Sequence, residues 1–328
     1  MIASMKAVLC KAWGPPETLV VEDVPAPVPG KGQVVVAVKA AGVNFPDVLI
    51  IQNKYQFKPA LPFSPGNEIA GVVKAVGEGV QGFAPGDRVI ALIGWGGFAE
   101  EVAVDTARLA PLPSGVEYTV GASFGLTYAT SYHALKDRAQ LRAGETLLVL
   151  GAAGGVGLAA VELGRLMGAR VIAAASSADK LGACLAHGAD EAIDYQTEDL
   201  RERLKALTGG RGVDVVCDPV GGSYTEPALR STAWRGRFVV LGFAAGEIPK
   251  IPLNLPLLKG FSIVGVFWGD FTRREPKNAE RDLHDLVALH RAGKIRPLVF
   301  DRYALEETSD ALYALMERRV QGKVVIVP

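Results

Sequence analysis

The sequence predicts an α/β protein that combines a β-rich domain with a doubly wound parallel sheet. Three observations predict this fold class. Short strands rich in Val and Gly recur up to about residue 125, strands and helices alternate from about 126 to 267, and a glycine-rich turn at 151–157 joins a strand to a helix. We therefore predict domains at residues 1–125 and 126–267, with residues 268–328 returning to the first domain.

The first domain is predicted to be a compact β-rich barrel. Clusters of Pro and Gly, such as residues 25–30 and 85–87, separate its short apolar runs and mark turns between strands. Its strands are predicted at Val34–Ala40, Glu68–Val76, Asp87–Leu92 and Phe98–Val104.

The second domain is predicted to contain six parallel strands, the number in a complete dinucleotide-binding fold. These strands are predicted at 146–150, 170–175, 191–195, 213–217, 237–242 and 262–267. The returning segment then contributes two helices, at 279–292 and 306–319, and a final strand at 323–327.

The turn at 151–157 is the most informative motif. It follows the apolar strand at 146–150 and opens a helix, so that Gly154 allows the backbone to lie against a pyrophosphate and Gly157 allows the helix to pack closely on the strand. Ala152 occupies the place where the usual fingerprint has its first glycine. The order of strand, turn, helix and strand nevertheless predicts a dinucleotide site at Gly154, Gly155, Val156 and Gly157.

The end of the second strand predicts which dinucleotide binds. NAD sites normally carry an Asp or Glu about 20 residues beyond the turn, where it binds the ribose hydroxyls, but here those positions are Ala174 and Ala175. Ser176, Ser177 and Lys180 follow, and they offer hydroxyl donors and a cation for a ribose 2'-phosphate. NADPH is therefore the expected cofactor, although Lys180 taken alone also fits an ordinary solvated lysine.

Composition favours a cytoplasmic enzyme. The 328 residues include 35 Lys plus Arg and 35 Asp plus Glu, so no net charge favours nucleic acid or an anionic membrane. The first residues lack the apolar core of a signal peptide, and no apolar run reaches membrane-spanning length. Three widely spaced cysteines are typical of reduced thiols in a reducing compartment.

The order of domains resembles the medium-chain dehydrogenase/reductase superfamily over the full chain. Six motifs in register are similar to those of its zinc-free NADPH:quinone oxidoreductase branch, which includes the lens ζ-crystallins. The motifs lie at residues 41–47, 65–71, 76–80, 85–89, 97–100 and 151–157. The resemblance implies a GroES-like catalytic domain, a Rossmann domain, and a homodimer joined along the edge strand Ser262–Phe267.

A catalytic metal is not expected. Zinc alcohol dehydrogenases of this superfamily place a Cys and a His at the positions that Asn44 and Asn67 occupy here, and an amide is a poor zinc ligand. The four closely spaced cysteines of a structural zinc lobe are also missing.

The resemblance further implies that Asn44, Asp47, Tyr55 and Thr127 line the space near the nicotinamide. Among them, Asn44 and Tyr55 are the expected hydrogen-bond donors to an acceptor carbonyl, and Tyr55 could also protonate an enolate. Asp47 also fits a turn residue after Pro46, and Tyr55 also fits a loop tyrosine that covers apolar surface.

In related quinone reductases, a Lys, a Tyr and an Arg contact the 2'-phosphate of the cofactor. The resemblance assigns these roles to Lys180, Tyr195 and Arg318. Arg318 suits a phosphate because its guanidinium group can donate two parallel hydrogen bonds. Arg319 stands beside it and makes the assignment less specific.

The expected function is NADPH-dependent, zinc-independent hydride transfer to a quinone or a similar electron-poor carbonyl compound. A few donors suffice for such an acceptor, because the developing negative charge spreads into its ring. One alternative is reduction of a carbon-carbon double bond in an enone or enoyl thioester. Another, of a different class, is a non-catalytic, NADPH-binding crystallin-like protein.

Overall fold

The computed structural model describes residues 3–328, which form two compact units. The first unit comprises the chain up to Leu126 together with Pro297–Pro328, and the second unit comprises Thr127–Arg296. The sequence predicts that the chain returns to the first domain at residue 268, but in the structure it does so at Pro297. Residues 268–296 remain in the second unit because Phe271 stacks on His133, at 3.9 Å between ring centroids, and Asp282 pairs with Lys136.

The secondary structure of residues 3–328 alternates as expected in the second unit and is β-rich in the first. The strands are β1 (Ser4–Leu9), β2 (Val20–Pro25), β3 (Gln33–Gly42), β4 (Glu68–Val76), β5 (Arg88–Leu92), β6 (Glu101–Asp105), β7 (Leu109–Pro111), β8 (Thr146–Leu150), β9 (Arg170–Ala175), β10 (Glu191–Asp194), β11 (Val213–Asp218), β12 (Thr232–Val240), β13 (Ser262–Gly265), β14 (Val299–Ala304) and β15 (Lys323–Val327). The α-helices are α1 (Phe45–Ile50), α2 (Tyr118–Tyr132), α3 (Gly155–Leu166), α4 (Ala178–Ala186), α5 (Leu200–Leu207), α6 (Thr225–Arg230), α7 (Asn254–Lys259), α8 (Trp268–Arg274), α9 (Pro276–Arg291) and α10 (Thr308–Met316). Within this described part of the chain, no helix is both long and apolar enough to cross a membrane.

The second unit contains a six-stranded parallel sheet in the order β10-β9-β8-β11-β12-β13. This is the strand order of a doubly wound dinucleotide fold, so the predicted fold class is confirmed. Every residue of β8 is buried, as expected for a central parallel strand covered on both faces. Strand β12 begins five residues earlier than predicted, because Thr232 pairs with Val213 before the register shifts.

The first unit is built on the long strand β3. Strand β3 pairs antiparallel with β4, β6 and β15, within a sheet ordered β14-β15-β3-β4-β5-β7. Alternate residues of β3, such as Val34, Val36 and Val38, enter a core that also contains Phe98. Strands β1 and β2 form a separate antiparallel pair.

The C-terminal strand β15 lies between β14 and the end of β3. Ile326 of β15 lies opposite Ala41, and the Val43 N–H donates a hydrogen bond to the Val324 carbonyl at 3.0 Å. This register brings Lys323 next to residues 43 and 44, which lead from β3 into α1.

A glycine permits the close approach of α3 to the turn before it. A Cβ atom at Gly157 would lie 2.3 Å from the Gly151 carbonyl oxygen and 2.8 Å from the Ala152 Cα, both of which are backbone atoms. Only glycine avoids these contacts without displacing the helix. The lack of a side chain at Gly157 thus permits α3 to lie close to the turn that follows β8.

We expect Gly157→Ala to destabilise the second unit by about 1–3 kcal/mol, because the added methyl group forces backbone atoms apart. Gly182→Ala is the matched control, since a Cβ atom on this exposed residue of α4 meets nothing within 4 Å. The control is expected to be neutral or to stabilise by up to about 1 kcal/mol. Urea unfolding of both variants measures the difference; equal stabilities would contradict the steric argument.

Candidate active site

The start of α1 holds two of the predicted site residues in one buried cluster. Asn44 is the N-cap residue of α1, and Pro46 follows within the first turn, where its fixed φ suits a helix start. The Asp47 Oδ2 atom accepts a hydrogen bond from the Asn44 backbone N–H at 2.8 Å. The carboxylate of Asp47 therefore fixes the entry of the chain into the helix.

Asp47 is buried and accepts a second backbone hydrogen bond, from the Gly66 N–H to Oδ1 at 3.2 Å. Gly66 has φ +94°, and a Cβ atom there would lie 2.7 Å from the Phe98 backbone nitrogen, so this position requires glycine. Burial raises the pKa of Asp47 to about 7, although both N–H bonds and the positive charge of Lys323 act to lower it. Burial thus favours the protonated form of Asp47, and its hydrogen bonds and Lys323 favour the ionised form.

Two residues that the sequence analysis did not select complete the cluster. Glu68, at the start of β4, accepts a hydrogen bond from the Leu126 N–H at 2.9 Å through Oε1. Lys323, at the start of β15, donates to the Val43 carbonyl at 2.8 Å and lies 3.4 Å from Glu68 Oε2. Both side chains are buried, so this pair is shielded from solvent and from salt.

The Asn44 side chain is fully engaged within this cluster. Its Nδ2 atom donates to the Gly42 carbonyl and to Glu68 Oε2, each at 3.2 Å, and its Oδ1 atom accepts a hydrogen bond from Lys323 Nζ. An amide has only two N–H donors. Donation from Asn44 to a substrate would therefore require one of these bonds to break, and the donor role expected for Asn44 does not match the structure as it stands.

Tyr55 lies beyond the end of α1 and is half-buried against the core of the first unit. Its ring packs edge-on to Phe57, at 5.7 Å between centroids. Burial raises the pKa of its phenol group, and the negative charge of Asp47 raises it further. Tyr55 therefore keeps its proton at neutral pH and can donate it in a hydrogen bond.

Thr127, the fourth residue predicted near the nicotinamide, lies in the second unit. It is buried within α2, in which the division between the two units falls. Its proposed role stays a prediction.

The glycine turn of the second unit has the geometry that the sequence predicts. The Ala152 N–H donates to the Ala174 carbonyl at 3.1 Å, which ties the turn to the end of β9. Gly154 then caps α3 in an extended conformation. The first N–H groups of an α-helix have no acceptor within the helix, so residues Gly155, Val156 and Gly157 suit an anionic group such as a pyrophosphate.

The residues expected at the adenosine phosphate meet at the carboxyl ends of two neighbouring strands. Lys180 Nζ donates to Ser176 Oγ at 3.0 Å, and Ser177 caps α4 by accepting from the Lys180 N–H. Tyr195 follows β10, and its N–H donates to the Ala175 carbonyl at 3.1 Å. The structure thus brings four of these five residues together. Arg318 lies in the first unit, exposed just after α10, and its contact with the cofactor stays a prediction.

Among residues 3–328, no three His, Cys, Asp or Glu side chains lie close enough together to hold a metal ion. Asn67 instead accepts a hydrogen bond from the Gly94 N–H at 2.7 Å, through its side-chain oxygen. The two asparagines that replace the zinc ligands of related enzymes are thus both engaged in hydrogen bonds within the protein.

Two family models match the chain. The alcohol dehydrogenase GroES-like domain matches residues 30–114, and the zinc-binding dehydrogenase model matches residues 155–288. These ranges fall in the first and second units respectively. The GroES-like and Rossmann parts of the expected fold are therefore confirmed.

Similar proteins align with nearly the whole chain. It is 39% identical to a quinone oxidoreductase-like protein 2 homolog of Nematostella vectensis, over 98% of this chain and 89% of the relative. It is 34% identical to a quinone oxidoreductase of Rattus norvegicus, over 94% of this chain and 92% of that protein. Among solved structures, the Escherichia coli quinone oxidoreductase complexed with NADPH superimposes with a TM-score of 0.91 and 29% identity, over 99% of each chain.

Proposed function

Because the chain belongs to the quinone oxidoreductase branch of the medium-chain dehydrogenase/reductase superfamily, we propose that it transfers hydride from NADPH to quinones or similar electron-poor carbonyl compounds without zinc. Membership makes the chain an oxidoreductase. The acceptor and the independence from metal are the proposed parts.

The observation that carries the zinc-free proposal is the environment of Asn44. Where zinc enzymes of the superfamily have a thiolate ligand, this chain has an amide whose donors and acceptor are bound by Gly42, Glu68 and Lys323. A Lys ammonium ion within hydrogen-bond distance of this amide would repel a divalent cation placed beside it. The polar groups at this position thus favour chemistry that needs no metal.

The second unit supports NADPH as the cofactor. Gly157 leaves room for the close turn at the start of α3, and Ser176 and Lys180 offer a hydroxyl and a cation at the end of β9. Ala174 and Ala175 take the place of the carboxylate that NAD sites use. A related quinone oxidoreductase binds NADPH in its solved structure, and this chain shares its fold.

The proposed mechanism assigns hydrogen bonding and proton donation to Tyr55. When bound, NADPH supplies the hydride. The phenol of Tyr55 keeps its proton at neutral pH, because burial and the charge of Asp47 raise its pKa, so it can donate a hydrogen bond to the oxygen on which negative charge develops. A quinone spreads this charge over its ring, and one donor therefore provides much of the stabilisation that is needed. The same phenol could protonate an enolate, which keeps double-bond reduction as the competing activity.

The first test is turnover of NADPH and, separately, NADH by chelator-treated protein with quinones, enones and an enoyl thioester. We expect quinone reduction that prefers NADPH and survives chelation. Tyr55→Phe is expected to lower kcat at least about tenfold, because it removes the donor and leaves the ring in place. Tyr313→Phe, a tyrosine of α10 that donates to Glu17 on the surface, is the matched control.

Each other outcome of this test rejects a stated part of the proposal. Turnover of enones or thioesters alone would establish the double-bond reductase. Loss of activity to chelator would contradict the zinc-free mechanism, and NADPH binding without any turnover would indicate the non-catalytic, crystallin-like alternative. Unchanged kcat in Tyr55→Phe would remove Tyr55 from the mechanism.

Lys180 provides a test of cofactor choice. We expect Lys180→Ala to weaken NADPH binding about tenfold and to leave NADH binding within about twofold, because only NADPH carries the 2'-phosphate. Lys205→Ala, an exposed lysine of α5 in the same unit, is the control. Calorimetric titration with NADPH and with NADH measures both affinities. An equal loss of affinity for the two nucleotides would show that Lys180 does not bind the 2'-phosphate.

The proposed assembly is a homodimer joined along β13. This strand is the last of the six-stranded sheet, and its outer edge has no paired strand within residues 3–328. Large apolar side chains are exposed on this strand and on the elements next to it in the chain or in the sheet, namely Trp234 of β12, Leu257 and Leu258 of α7, Ile263 of β13 and Phe267 after it. An unpaired edge flanked by apolar side chains suits the same surface of a second copy.

We expect the double variant Leu257→Glu and Leu258→Glu to shift the protein from dimer to monomer, since these side chains of α7 are 80% and 68% exposed. Val28→Glu is the control, because Val28 is 85% exposed but lies in the first unit. Sedimentation velocity measures the mass. A monomeric unmodified protein, or a dimer that survives the double substitution, would contradict the proposed interface.

The cytoplasm is the proposed location. Cys10, Cys184 and Cys217 are free and buried, and burial raises the pKa of each thiol. Inert reduced thiols of this kind fit a reducing compartment.

A further inference from the structure

The buried ammonium group of Lys323 has no role in the proton donation proposed above. Its Nζ atom contacts three oxygen acceptors: the Val43 carbonyl, Asn44 Oδ1 and Glu68 Oε2. A charged lysine has three donors and no acceptor. The three contacts thus match the charged form, even though burial lowers the pKa of this lysine.

This ammonium ion determines how the Asn44 amide is oriented. An amide can rotate by half a turn and exchange its oxygen for its nitrogen. With Lys323 as a donor on one side and Glu68 as an acceptor on the other, only one orientation satisfies both partners. The orientation of the Asn44 side chain thus depends on a residue near the C-terminus.

The same ion balances charge around Asp47. The cluster holds two carboxyl groups, Asp47 and Glu68, but only one lysine. Burial is the main reason that the pKa of Asp47 is raised to about 7, and the charge of Glu68 adds to it, while the charge of Lys323 lowers it. Removing Lys323 would therefore keep Asp47 protonated to a higher pH.

Asp47 in turn acts on Tyr55, since its negative charge raises the pKa of the phenol. The charged groups that act on Asp47 come from different elements, Lys323 from β15 and Glu68 from β4. Tyr55, on which the charge of Asp47 acts, lies in the segment after α1. Helix α10, which also contacts α1, contributes buried apolar residues to the shared core.

We propose that Lys323 is a positioning residue for the reduction: its buried ammonium group holds the Asn44 amide in one orientation and is the fixed cation of the cluster that Asn44 forms with Asp47 and Glu68. This inference rests on the proposed function, because Tyr55 is the donor to the acceptor oxygen. Lys323 acts on the reaction only through these neighbouring residues, and its ammonium group is a fixed positive charge within the first unit.

The central experiment compares the unmodified protein with Lys323→Met, which keeps the length of the side chain and removes its charge. We expect kcat for quinone reduction to fall about tenfold, with KM for NADPH within about twofold. We also expect the pH midpoint of kcat/KM that depends on Asp47 to rise by about one pH unit. Asp47→Asn is expected to abolish that transition.

Lys6→Met is the matched control. Lys6 lies in the same unit and pairs with Glu306 at 2.8 Å, but both side chains are more than half exposed. Exposed pairs contribute little, so its activity and pH midpoint are expected to match those of the unmodified protein.

A second measurement, the free energy of unfolding as a function of pH, reports the protonation of Asp47 without requiring catalytic activity. Because its folded-state pKa is raised from 3.8 to about 7, the folded protein binds more protons than the unfolded chain between these pH values. Its contribution to the free energy of unfolding is therefore greatest at low pH and is lost as pH rises to about 7. In Lys323→Met this loss is expected to continue above pH 7, and in Asp47→Asn it is expected to be absent.

The outcomes separate the inference from the proposed function. If the unmodified protein reduces no acceptor, the proposed function fails, and the unfolding profiles still report whether Lys323 sets the charge of Asp47. If Lys323→Met folds and keeps the unmodified pH profile in turnover and unfolding, the inference is overturned even where kcat has fallen, because a purely structural role would give that result.

Glu68→Gln covers the case in which Lys323→Met does not fold. The double variant Glu68→Gln and Lys323→Met contains no unpaired charge from this ion pair, so it is expected to fold. Compared with Glu68→Gln alone, its pH midpoint is expected to be higher by about one pH unit. Identical midpoints in these two proteins would overturn the inference.

Discussion

The ion pair between Lys323 and Glu68 is the interaction on which the first unit depends most. It connects the start of β15 to the start of β4, and through Asn44 it reaches the start of α1. Two buried charges are costly to remove from water, and a partner lost from such a pair leaves the other uncompensated, at a cost of about 3–5 kcal/mol. Such a pair is stable only where the remaining hydrogen-bonding groups of both side chains have partners. Here the Leu126 N–H donates to Glu68, and Lys323 donates to the Val43 carbonyl and to Asn44 Oδ1.

The second unit depends on a steric constraint instead of a charge. The central strand β8 is fully buried, so the middle of the sheet is specified by apolar burial, and the turn at 151–157 is specified by the lack of space for a side chain at Gly157. The polar residues at the carboxyl ends of β9 and β10 then follow from the strand order, because adjacent parallel strands end at the same edge. The two units are thus specified by different physical means, the first by buried polar contacts and the second by apolar burial and a steric constraint.

Sequence patterns predicted the elements of the second unit well because their signals are local. Apolar runs, a glycine turn and a cap residue each act within a few positions, and β8, β9 and α3 appear where they were expected. The return of the chain was placed about 30 residues too early. The apolar faces of α8 and α9 indicate burial but not the partner, and the stacking of Phe271 on His133 keeps these helices in the second unit.

The sequence by itself determined the fold class, the nucleotide turn, the missing carboxylate at the end of β9, and the two asparagines that replace zinc ligands. Only the tertiary structure decided that Asn44 is bound by Lys323 and Glu68, which are 279 and 24 residues away along the chain. Glu68 and Lys323 are each the first residue of an apolar strand. A charged residue is common at the end of a strand, so the sequence alone does not mark either of them as a site residue. Strand pairing brings them together, and pairing between distant strands leaves no periodic signal in the sequence. The energetic role of a buried charge depends on its neighbours, so this part of the site became visible only in the folded chain.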